Sequence, residues 1–171
     1  WEQMGPYRTQ ALISGIVAMG LLMAASLRAQ EAGWHYSALP GEGDRATMGC
    51  DRDASPAAFS CLVVRCEDDF STGVYVHTSR VEDSGRWEMT LDRENRSPVA
   101  EATAAPYGAR FGSDAGWLLE RLEQGSFVYL RHSDDTNEPF RYISLSGSLY
   151  AINHALAWCA PRAPAAEQIP A

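Results

Sequence analysis

Histidines and serines are the side chains of this chain best suited to acid–base, nucleophilic or metal chemistry. The four histidines occur singly, without the second histidine and the acidic residue of a metalloprotease helix: His35, His77, His132 and His154. No serine lies in a Gly-x-Ser-x-Gly nucleophile elbow. We therefore interpret the histidines as surface or strand-face residues and predict no catalytic residue, no metal site and no cofactor.

One acidic segment imitates the start of an EF-hand calcium loop. Asp51, Asp53 and Ser55 have the spacing of the first three ligands. The sixth position is Pro56, where the loop needs glycine, and the twelfth is Leu62, where it needs a bidentate glutamate. We therefore predict that this segment is a turn rather than a calcium site.

Composition excludes several classes of protein. All 14 basic residues are arginine, so neither a Schiff-base lysine nor the lysine of a phosphate-binding loop is available. The net charge of −8 argues against a nucleic-acid partner, because phosphate backbones are bound by basic surfaces. With 46% hydrophobic and 21% charged residues, the chain has enough apolar side chains for one folded domain.

The four cysteines predict two disulfides. Three connectivities are possible for an even number of cysteines in an exported domain. Cys61 and Cys66 are five residues apart in a strand-like run, so they point to opposite faces and should not pair with each other. A turn-rich segment brings Cys50 to Cys61, which leaves Cys66 for Cys159 and closes a loop of about 90 residues, worth about 4 kcal/mol in the chain-entropy model. A zinc site is the alternative, although the sequence lacks paired Cys-x-x-Cys knuckles.

The first 29 residues have the layout of a secretory signal. Three extra residues precede Met4, one arginine follows, and the run 11–26 is uncharged and mostly apolar. We expect cleavage after Ala29 or after Ser26 and a periplasmic or secreted bacterial domain. In the alternative, the run stays as an uncleaved anchor and is the only contact with a membrane.

Beyond the signal, residues 30–160 carry short apolar runs separated by turn residues, which is typical of an antiparallel β domain. Trp87, Met89 and Leu91 alternate with polar residues and predict a strand with one buried face. We expect a β-sandwich-like domain of seven or eight short strands, whose last two form a hairpin around the polar loop 133–139. The expected strands are 34–36, 45–50, 59–67, 74–78, 86–92, 99–103, 127–131 and 140–145.

Two short helices interrupt the strands. The first begins at Ser113 or Asp114 and ends before Gly125. The second follows residues 146–148, lies near the C-terminus and is expected to place four side chains on one buried stripe: Leu149, Ile152, Leu156 and Cys159. Residues 161–171 are rich in alanine and proline and are expected to form a disordered tail.

Arg65 is a charged residue inside a strand that is otherwise apolar. Such a group needs a carboxylate or water, and we expect Glu67 or Asp92 as its partner. Four tryptophans fall in the periodic runs, and we expect them to pack in the core rather than form a ligand platform: Trp34, Trp87, Trp117 and Trp158.

Several segments occur in the order found in a known family. They are 62–66 (LVVRC), 74–76 (VYV), 89–93 (MTLDR), 118–125 (LLERLEQG), 140–147 (FRYISLSG), Ala151-Ile152 and Cys159. Over about 61–159 the chain resembles the VasI family of periplasmic proteins associated with type VI secretion. The resemblance implies a periplasmic β domain with a non-enzymatic accessory role.

Three functions fit these observations. The first is an exported, disulfide-stabilised domain that binds another envelope protein. The second is a periplasmic inhibitor of a basic secreted enzyme such as lysozyme, because the chain is acidic and the segment 146–150 resembles the Ser-Gly-x-x-Tyr loop of such inhibitors. The residues of this possible binding loop are Ser146, Gly147, Ser148 and Tyr150. The third is a hydrolase with a site that the sequence does not reveal.

Overall fold

A computed structural model describes residues 32–36, 39, 41–104 and 107–160. The predicted signal segment 1–29 and the predicted tail 161–171 lie outside these residues. Within the described ranges, neither helix has the length and apolar character needed to cross a membrane.

Strands dominate the described part of the chain, and every strand pair is antiparallel. The strands are β1 Gly33–Tyr36, β2 Ala46–Cys50, β3 Ser60–Cys66, β4 Thr72–Thr78, β5 Gly85–Leu91, β6 Glu94–Arg96, β7 Val99–Ala102, β8 Ala109–Phe111, β9 Phe127–His132 and β10 Arg141–Ser144. The helices are α1 Ala115–Gln124 and α2 Ser148–Leu156, with a 3-10 turn at Gly43–Arg45. The expected mainly β, antiparallel domain with two helices is confirmed.

The ten described strands form one sheet in the order β1-β2-β3-β4-β8-β7-β5-β9-β10, and β6 pairs with β5. The sheet is nearly closed, because the backbone N–H of Arg52, just after β2, donates to the carbonyl of Tyr142 in β10 at 2.8 Å. The expectation of seven or eight strands missed β6 and β8. Each of these strands has three residues, which is too short for an alternating pattern to be visible.

The main core lies on the inner face of the sheet. Trp87, Met89 and Leu91 point into it from β5, which confirms the predicted alternation. A second, smaller cluster covers the opposite face of β2, β3 and β4 and includes Met48 and Val63. Strand β3 is therefore buried on both faces, which explains why its sequence is a continuous apolar run.

Two disulfides join the expected cysteines, and the predicted pairing is confirmed. Cys50 and Cys61 are register partners on β2 and β3, with Cα atoms 4.1 Å apart. Cys66, at the end of β3, bonds to Cys159 across 93 residues of sequence. The second bond fixes the segment after α2 to the central strands.

Helix α1 follows Asp114 and ends before Gly125, as predicted. Gly125 has an extended backbone with φ −81° rather than a left-handed one. A Cβ there would lie 2.6 Å from both the carbonyl oxygen of Arg121 and Oδ2 of Asp92. Glycine is therefore required by close approach and not by its conformational freedom.

The predicted buried stripe of α2 is correct for Ile152 and, in part, for Leu156, but wrong for Leu149 and Cys159. Leu149 is 50% exposed, and the helix ends at Leu156, so Cys159 lies beyond it. The buried side chains are Ser148, Ala151, Ile152 and Ala155. Helix α2 lies against β1, β2, β3 and α1. Small side chains on its buried face permit this close approach. The prediction failed because it placed the large apolar residues, such as Leu149, on the buried face.

Candidate functional site

The predicted binding loop lies at the start of α2, and its four residues do not share one environment. Ser146 and Tyr150 are exposed, and Gly147 between them has φ +80°, which favours glycine. Ser148 is buried, and its hydroxyl donates to the carbonyl of Leu122 at 2.6 Å. Ser148 therefore ties α2 to α1, and binding by the exposed part of the loop stays a prediction.

Arg65 lies between two glutamates. Its Nη2 is 2.8 Å from Oε2 of Glu42, and its Nη1 donates to Glu67, which confirms Glu67 as a partner. Desolvation opposes the charge, but attraction to Tyr107 and the two glutamates raises the pKa of Arg65 above its ordinary value. Burial, followed by its hydrogen bond to Glu67, raises the pKa of Tyr75 to about 12. These groups neutralise one another as a structural network.

Asp92, the other residue expected as a partner of Arg65, has a different role in the fold. Its carboxylate instead accepts the backbone N–H of Ser126 at 3.1 Å, next to the end of α1. Glu42 was missed because it lies just before the 3-10 turn, 23 residues from Arg65 in sequence. Only the fold brings the two together.

His132, the last residue of β9, is a strand-face residue as interpreted, and its side chain is buried. Its Nε2 lies 2.8 Å from the carbonyl oxygen of Ser84, and its Nδ1 accepts the backbone N–H of Asp134. Both ring nitrogens therefore hold loops in place. Among the described residues, no group of three histidine, cysteine or acidic side chains is placed to hold a metal ion.

The outer face of the β9–β10 hairpin carries a group of aromatic side chains. In β9, Phe127 and Tyr129 point outward while Val128 and Leu130 point into the core. The ring of Tyr142 in β10 lies 5.2 Å from that of Tyr129 and 6.1 Å from that of Phe127. Three aromatic rings thus contact one another on the solvent side of the sheet.

Two arginines extend this surface. The guanidinium of Arg52 lies 4.8 Å from the ring centre of Tyr142, and that of Arg131 lies 4.2 Å from Phe140. Such cation–π contacts stabilise by about 0.5–1 kcal/mol at exposed sites. We call this surface the hairpin face and define it by Arg52, Phe127, Tyr129, Arg131, Phe140 and Tyr142.

The sequence predicted the β9–β10 hairpin but not the aromatic group on its outer face. The run Phe127–His132 is apolar at four successive positions, which does not reveal which side chains point outward. The four tryptophans were expected to pack in the core. Trp34 and Trp87 are buried as expected, and Trp117 packs against the core. Trp158 is 58% exposed, so core packing is wrong for that residue.

Comparison with known proteins finds no matching family model, curated protein or solved structure. The resemblance to the VasI family therefore stays a prediction. The fold and the hairpin face must be interpreted from their own geometry.

Proposed function

We propose that this chain is an exported, periplasmic accessory domain without enzymatic activity, which binds another envelope protein. Its two disulfides fit an oxidising compartment, since such bonds form and persist outside the reducing cytosol. Association with a secretion system is the more specific form of the proposal, and the resemblance to the VasI family supports it.

The single observation that carries the proposal is the hairpin face. Aromatic residues and arginine are enriched at protein–protein interfaces and among the residues that dominate binding energy. Here Phe127, Tyr129 and Tyr142 contact one another on the outer face of the sheet. Two of the three ring pairs are tilted and one is stacked, which are the arrangements that aromatic side chains favour with one another.

Co-purification from envelope extracts tests this function. The full chain should retain a specific protein, and the double variant Tyr129→Ser with Tyr142→Ser should lose it, because both rings leave the hairpin face. Val99→Ser provides the matched control, since Val99 is also an exposed apolar residue in a strand. Equal recovery of the protein with both variants would reject the hairpin face as the binding surface.

Inhibition of a basic secreted enzyme such as lysozyme is the second candidate. The net charge of −8 favours encounter with a cationic enzyme, and Tyr150 projects from the predicted loop with 69% of its surface exposed. A lysozyme assay at micromolar protein and low salt distinguishes the two functions. Inhibition that Tyr150→Ala removes would favour the inhibitor, and no inhibition would exclude it.

A further inference from the structure

A cavity of about 250 Å³ lies at one end of the sheet, beside the hairpin face. Three arginines line it from three different parts of the chain: Arg80 after β4, Arg131 in β9 and Arg141 at the start of β10. Phe59 and Trp87 contribute apolar walls. Arginine side chains therefore converge on one cavity of a protein whose net charge is −8.

Two of these arginines are already engaged. Arg131 donates through Nε and Nη2 to one carboxylate oxygen of Glu88, at 3.0 and 2.9 Å, and through Nη1 to two loop carbonyls. Arg80 forms an ion pair with Asp135 and donates through Nε to the carbonyl of Glu82. Both groups hold the surrounding loops, and each already has a carboxylate within hydrogen-bond distance.

Arg141 is different. In the part of the chain that the structure describes, its one ion-pair partner is Asp51, and the Nη1–Oδ2 distance is 3.7 Å, which is too long for a hydrogen bond. Asp51 itself is buried and uses Oδ1 to accept the backbone N–H of Ser60 at 2.7 Å. A guanidinium has five N–H donors, so Arg141 has donors to spare, and its side chain is 31% exposed at the cavity.

We propose that this end cavity binds a carboxylate of an acidic peptide segment, with Arg141 as its main anchor. Planar guanidinium and carboxylate groups form paired, charge-assisted hydrogen bonds. The volume is below the about 300–1,000 Å³ of pockets for drug-sized ligands, and it suits one acidic side chain or a chain end. The inference rests on the proposed function, because the segment would belong to the protein bound at the hairpin face.

The surroundings favour a peptide over a free anion. Asp135 and Glu138 also line the cavity, and with Asp51 nearby they repel a compact, doubly charged phosphate more strongly than a singly charged carboxylate. The cavity adjoins the hairpin face through Arg131, which lines the cavity and contacts the ring of Phe140. A segment on that face can therefore place one carboxylate beside Arg141 and obtain most of its remaining contacts from aromatic rings.

Binding of a defined probe to the full chain tests the inference. The probe is a fluorescein-labelled pentapeptide of glutamate and phenylalanine with a free C-terminal carboxylate, followed by fluorescence anisotropy. We expect it to bind at least about tenfold more tightly than the glutamine analogue with an amidated end, a difference of about 1.4 kcal/mol. Equal affinities would overturn the proposal, and so would displacement of the probe by equimolar inorganic phosphate, which would indicate a free-anion site.

Variants locate the binding group. Arg141→Gln should weaken probe binding about tenfold, and Arg141→Lys should recover only part of the loss, because lysine keeps the charge without the paired geometry. Arg93→Gln is the matched control, since Arg93 is an exposed arginine in the β5–β6 turn. Circular dichroism verifies that each variant is folded. Unchanged affinity for folded Arg141→Gln would overturn the assignment.

The outcomes separate this inference from the proposed function. A protein that co-purifies through Tyr129 and Tyr142 but is retained equally by Arg141→Gln would leave the function intact and reject the carboxylate site. In the opposite case, probe binding depends on Arg141, but the double variant at Tyr129 and Tyr142 retains the same proteins as the unchanged chain in co-purification. This result would support the cavity site and reject the proposed function.

Discussion

Arg65 is a nearly buried cation whose charge is balanced by Glu42 and Glu67. Removing one member of such a network leaves the other charges uncompensated. This loss destabilises the fold far more than replacing the whole network by apolar residues of similar size. The cost arises in the folded state, because the unfolded chain hydrates all three groups. Arg65 therefore supports stability without any requirement for a ligand.

Replacing Arg65 by methionine should lower the free energy of unfolding by about 3 kcal/mol, because two partly buried glutamates lose their counter-charge. Urea denaturation measures the change. Arg93→Met, at an exposed position, should change stability by no more than about 0.5 kcal/mol. Equal losses in the two variants would show that Glu42 and Glu67 do not depend on Arg65.

His77 should make stability depend on pH. Burial lowers the pKa of His77 below its usual 6.5, although the Asp83 carboxylate opposes the shift. His77 therefore binds a proton more readily in the unfolded state than in the folded state. The free energy of unfolding should decrease as pH falls below about 6.5, because protonation then favours the unfolded chain. Urea titrations between pH 7.5 and about 5 should show the decrease. His77→Gln should flatten the profile, and a profile unchanged by this substitution would contradict the assignment.

The elements differ in how much of their structure the sequence reveals. Strand β5 was predictable because Trp87, Met89 and Leu91 alternate on one face, and α1 was predictable from Asp114 and Gly125 at its ends. Strands β6 and β8 are too short to show a pattern. The outer face of the β9–β10 hairpin was not predictable, since aromatic residues outside a sheet have the same sequence signature as residues inside it.

Helix α2 provides a test of the corrected buried face. Ile152→Ala should lower the free energy of unfolding by about 2–5 kcal/mol, because it removes a fully buried side chain from the core. Leu149→Ala should change it by no more than about 0.5 kcal/mol, since Leu149 faces solvent. Thermal or urea denaturation of the two variants provides the comparison. A larger loss for Leu149 would restore the predicted stripe.

At the scale of the whole molecule, the two disulfides contribute unequally. Cys66–Cys159 closes 93 residues and Cys50–Cys61 closes 11, and loop closure entropy grows with the logarithm of length. In the chain-entropy model the longer loop stabilises by about 2 kcal/mol more. This bond also anchors the segment after α2, so its loss affects the packing of that helix.

Paired serine variants measure this difference. Replacing Cys66 and Cys159 together should lower the free energy of unfolding by about 4–5 kcal/mol, against about 3 kcal/mol for Cys50 and Cys61. Urea denaturation of both oxidised variants gives the two values. A larger loss for the Cys50 and Cys61 variant would show that local packing, rather than chain entropy, determines the contribution of each bond.

Binding of another envelope protein at the hairpin face is the central claim, and photo-crosslinking in intact cells tests it most directly. A photoreactive amino acid replaces Tyr129 in one variant and Val99 in another, both in the full chain. We expect one discrete crosslinked protein product from position 129 and none from position 99. Absence of a product at position 129, or the same products from both positions, would contradict the claim.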